Sequence, residues 1–97
     1  MVMADWTYAQ TDPAEQLAQI HYYSYLKQQA NGPVEFVIAV KEYATPPSGD
    51  MQFFAQTDKE TNQKATPFRP FGWHRTLLGA LAACIDNIKR FDYEGDD

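Results

Sequence analysis

Hydrophobic and polar positions along the chain change rhythm several times, and each change marks an expected element. Between Asp12 and Gly32, Ala14, Leu17, Ala18, His21, Tyr22, Tyr25 and Leu26 recur at a spacing that gathers them on one side of a helix, with Ile20 and Tyr23 outside it. Asp12-Pro13-Ala14-Glu15 reads as a start: Asp12 as cap, Pro13 at the first helical position and Glu15 placed for a capping box. Asn31-Gly32-Pro33 reads as the stop. A first helix is therefore predicted across this stretch, after a loose lead-in over residues 1–11.

From Val34 the period falls to two. Val34, Phe36, Ile38 and Val40 alternate with Glu35, Val37, Ala39 and Lys41, which predicts a long strand reaching Tyr43 with one apolar face. Thr45-Pro46-Pro47-Ser48-Gly49-Asp50 is a turn by composition. Met51 to Thr57 predicts a second strand, with Met51, Phe53 and Ala55 on one face and Gln52, Phe54 and Gln56 on the other. Residues 65–68 are a weak third strand, confined by Pro67 and Pro70 to the sheet edge. A second helix is expected from Leu77 to Phe91 behind Thr76 as N-cap, with Leu77, Leu81, Cys84, Ile85 and Ile88 as its apolar stripe. Lys89 and Arg90 suit its last turn, and residues 92–97 form an acidic, solvated, mobile tail.

The expected fold is a single α+β domain: a two-layer sandwich of order α-β-β-(β)-α, with a small antiparallel sheet against two helices. This order resembles that of the double-stranded-RNA-binding domain. That family places basic residues at the start of its second helix, whereas Leu77 to Ala83 contains none, so the resemblance carries over no functional residues.

Composition narrows the function. At 97 residues there is room for one core. A net charge of −5 opposes binding to duplex nucleic acid or an anionic membrane. One cysteine fits a reducing compartment, and with no leader-like N-terminus the expected location is the cytoplasm. His21, His74 and Cys84 have no metal-ligand spacing, and no carboxylate stands inside an apolar run, so neither a metal, a cofactor nor acid–base catalysis is expected.

The candidate chemistry concentrates in Pro67-Phe68-Arg69-Pro70-Phe71-Gly72-Trp73-His74-Arg75-Thr76. Phe54, Phe68, Arg69, Phe71, Trp73, His74 and Arg75 form the candidate partner-binding surface. Trp73 and Phe71 would be apolar anchors, with Arg69 and Arg75 as charged donors around them. Trp and Arg concentrate interface energy, at about 2 kcal/mol or more per hot spot. A second candidate is an anion site at Arg75, Thr76 and Gly79, because a glycine in the first helical turn costs about 1 kcal/mol relative to alanine and suggests a close approach. The bland alternative is that Gly79 only admits a neighbouring side chain.

The expectation is a non-enzymatic module that binds another protein, with a second copy of itself as one option. A small phage or mobile-element accessory protein that inhibits a host factor would have this size and charge. Three rival classes are a single-stranded nucleic-acid binder that stacks bases on the same rings, an acidic nucleic-acid mimic acting through the tail and turn carboxylates, and a small-molecule anion binder using Arg75.

Overall fold

The computed structural model describes residues 5–47 and 49–95. Met1–Ala4 of the lead-in, Ser48 of the turn, and Asp96 and Asp97 of the tail lie outside the described residues. The chain forms a 3-10 turn (Asp5–Ala9), four strands, β1 (Ala18–Gln29), β2 (Gly32–Tyr43), β3 (Phe53–Thr57) and β4 (Phe71–His74), and one helix, α1 (Leu77–Ile88). The strands pair antiparallel in the order β1-β2-β3-β4, a meander with β1 and β4 at its edges. The class is α+β, with the helix as one layer and the sheet as the other. No helix among the described residues is long and apolar enough to cross a membrane.

The expected first helix is instead the strand β1, so the order is β-β-β-β-α and the resemblance in element order lapses. The start signal at Asp12 is real but local. Asp12 Oδ1 accepts from Ala14 N at 2.9 Å, and its carbonyl accepts from Glu15 N, which closes a single turn. The stop signal is a hairpin: Ala30-Asn31 connects Gln29 to Gly32, which takes the positive φ of 123° that the connection needs. Beyond it, the long β1–β2 ladder and the aromatic content of 20–25 outweigh the 3.6-residue spacing.

β2 and β3 carry the faces their alternation predicts. Phe36, Ile38, Val40 and Ala55 are fully buried and meet Ala80, Cys84 and Ile88 of α1. Each large apolar side chain sealed there contributes roughly 1.5–3 kcal/mol. Tyr23 and Tyr25 of β1, with Val34, Phe53, Leu77, Leu81, Ile85 and Tyr93, pack around this centre. The third strand lies later than expected: Phe68 makes only an isolated bridge to Thr61, and β4 begins at Phe71. Gly72 explains how α1 can lie so near β4. A Cβ there would stand 2.7 Å from the Ala80 carbonyl and 2.8 Å from Cys84 N.

Thr76 caps α1 as expected, its Oγ1 accepting from Gly79 N at 3.0 Å. The helix stops at Ile88, short of Phe91, with Lys89 as C-cap. Its far end is closed from β1. Lys27 Nζ donates to the carbonyls of Ile88 (3.1 Å) and Phe91 (2.8 Å) and pairs with Asp92 at 2.9 Å. Gln29 exchanges two hydrogen bonds with the Tyr93 backbone, and Glu94 accepts from Lys64 N. Asp92 to Glu94, expected to be mobile, are thus tied into the fold.

Candidate site: a ring band on the open sheet face

The helix covers one face of the sheet. The other is described by the odd residues of β2 and their neighbours: Ile20↔Lys41↔Phe54↔Trp73 is one row across the four strands, and Tyr22↔Ala39↔Gln56↔Phe71 is the next. Side chains along each row point the same way. Phe54, Phe71 and Trp73 therefore stand together opposite α1, as their alternation requires.

The rings touch in series. Tyr43 stacks on Trp73 (centroids 6.1 Å apart, planes at 13°), and Trp73 lies 4.5 Å from Phe54. Phe54 and Phe68 each lie 6.4 Å from Phe71, and Phe68 meets Phe91 edge-on at 6.0 Å. The Arg90 guanidinium closes this end, 5.6 Å from the centroids of both Phe68 and Phe91. These distances are in the range of favourable aromatic and cation–π contacts. Tyr43 is buried beneath the band, whereas Phe71 is 42% and Trp73 39% exposed.

β1 extends this surface in a way the helical reading hid. Ile20, Tyr22 and Leu26 lie on the open face, Tyr22 68% and Leu26 56% exposed, beside Val37 and Ala39 of β2. Polar groups interrupt it at Lys41, Gln56 and a 2.5 Å hydrogen bond from Ser24 to Glu35.

The remaining candidate residues separate from the rings. Arg69 donates to the Thr57 carbonyl at 3.0 Å and lines a shallow depression with Asp58, Glu60 and Tyr93. Arg75 forms an exposed 3.4 Å ion pair with Asp50. His74 turns toward the start of α1, its Nδ1 accepting from Thr76 N at 3.2 Å. A Cβ on Gly79 would collide with that imidazole ring, so the glycine admits a neighbouring side chain, the bland alternative for the anion site. The Gly79 amide is already bonded to Thr76.

Other titratable groups are dispersed. His21 Nε2 meets Glu42 Oε1 at 3.0 Å, half-buried on the helix side of the sheet. Cys84 is enclosed beneath α1, where burial pushes its pKa up to about 12. Among the described residues no three of His, Cys, Asp and Glu converge as a metal site. Sequence reading missed Arg90 and Phe91 as members of the band, and Ile20, Tyr22 and Leu26 as its flank. The Asn31-Gly32 dipeptide between aromatic-rich runs was the signal for the last three. No family model, curated protein or solved structure matches this chain.

Proposed function

We propose that this protein is a small binding module that recruits another protein through its open sheet face. The observation that carries the reading is the unbroken series of ring contacts from Tyr43 to Phe91, of which Tyr43, Phe54, Phe71 and Trp73 stand on the side of the sheet away from α1. Half-exposed rings fixed by their neighbours lose little side-chain entropy when a partner covers them, which is the property of interface anchors. Trp73 and Phe71 are the anchors of this surface, and Arg90, rather than Arg69 or Arg75, is the cation on the band, at its Phe68–Phe91 end. Isolated titratable groups and a sealed, high-pKa thiol favour binding over catalysis. Such a module suits an accessory protein or inhibitor that occupies a surface of its target.

A photoreactive phenylalanine analogue at Phe71 tests the reading against the same probe at Leu78, which is more accessible still but lies on α1. Discrete protein adducts at position 71 and none at 78 are expected. Nucleic-acid adducts at position 71 would replace the reading by single-stranded nucleic-acid binding. Deleting residues 92–97 is not a clean test of the acidic-mimic reading, because it removes the Lys27 and Gln29 contacts that close α1.

A further inference from the structure

We propose that β1 is a dimerisation edge, along which a second copy of this chain pairs antiparallel. The two sheet edges are built differently. β4 has four residues, and its outward Phe71 carbonyl accepts from Asn87 Nδ2 at 2.6 Å. β1 has twelve residues, and α1 packs mainly on β2, β3 and β4, meeting β1 through the Lys27 side chain.

Hydrogen-bond phase identifies the free groups. Ala44 N donates to the Leu17 carbonyl at 2.8 Å, continuing the β1–β2 register. Antiparallel bonding alternates, so the ladder to β2 uses Gln19, His21, Tyr23, Tyr25, Lys27 and Gln29. The N–H and C=O groups of Ile20, Tyr22, Ser24, Leu26 and Gln28 then point outward along the edge. Natural edges are blunted by proline, outward charge or bulges. β1 has no proline, no glycine and no carboxylate, and its one lysine turns inward to close α1. In a chain of net charge −5, two copies meet here without like-charge repulsion between their edge strands.

A twofold axis through Ser24 satisfies all five outward residues. It sets Tyr22 opposite Leu26 of the second copy, twice over, covering the two most exposed apolar side chains of the strand. About ten backbone hydrogen bonds result, a number typical of a specific interface. The outcome is one eight-stranded sheet with both ring bands on the same side. This inference does not depend on what the ring band binds.

Size exclusion with light scattering tests it. Wild type should run at twice the 11.1 kDa chain mass. Ser24→Pro removes an outward donor and leaves the β1–β2 ladder whole, so it should give a monomer with an unchanged circular dichroism spectrum. If that variant does not fold, Leu26→Lys replaces it, with the same expectation. Ser24→Cys should cross-link through a short bismaleimide, whereas Gln28→Cys should not. A wild type that is monomeric at every concentration overturns the proposal. So does a dimer that survives Ser24→Pro but dissociates on Trp73→Ala, which would mean face-to-face packing of the ring bands.

Discussion

The two faces of this sheet are made by the same strands and both carry large apolar side chains, yet they have different fates. On one, Phe36, Ile38, Val40 and Ala55 are sealed by α1. On the other, Phe54, Phe71 and Trp73 pack on one another and on flanking rings, and Phe71 and Trp73 stay partly in water. A single twelve-residue helix covers one face of a small sheet, and no second helix among the described residues covers the other. Apolarity alone therefore does not mark the core here. What separates core from surface is which face the loop at Arg75-Thr76 sends the helix across.

If that division is right, substitutions on the two faces should differ sharply. The largest effect is expected at Ile38→Ala, which removes a fully buried side chain. It should lower unfolding free energy by about 2–5 kcal/mol in denaturant titration while leaving adduct formation at position 71 intact wherever the protein is folded. Gly72→Ala comes next. Its Cβ would strike helix backbone, so a loss of roughly 1–3 kcal/mol is expected together with a weaker near-ultraviolet signal. Lys27→Met, which frees two carbonyls at the end of α1, should cost about 1–3 kcal/mol.

Much of the covered face was legible in the sequence. Strict alternation in β2 and β3 named Phe36, Ile38, Val40 and Ala55, and Thr76 announced the start of α1. β1 was not legible, for a physical reason. As an edge strand it is half-buried on one side and exposed on the other, so neither His21-Tyr23-Tyr25-Lys27 nor Ile20-Tyr22-Ser24-Leu26 need be uniformly apolar, and the period of two is blurred in the sequence. Leu17, His21, Tyr25 and Leu26 then imitate a helix face, and the Asp12 turn imitates its cap. The ring band was legible in part. Phe54, Phe71 and Trp73 follow from their strand positions, but Arg90 and Phe91 reach Phe68 only because α1 ends at Ile88. Arg75 carried no signal that it would pair with Asp50 instead.

The smallest effect concerns the sealed thiol. Its folded pKa, raised to about 12 from 9.0, means that the folded chain holds a proton the unfolded chain releases above about pH 9. This contribution is fully present below pH 9 and is lost as pH rises toward 12. The alkaline decline in stability should therefore be shallower in Cys84→Ala than in wild type, and a thiol reagent should label Cys84 only on unfolding.

The most direct measurement pairs stability with recognition in one variant, Phe71→Ser with Trp73→Ser. Unfolding free energy should stay within about 2 kcal/mol of wild type, because both side chains are already partly in water. Capture of the protein that cross-links through position 71 should be lost. Collapse of the fold would make the ring band a second core, and undiminished capture would place recognition elsewhere on the molecule; either result contradicts a sheet that is sealed on one side and open for binding on the other.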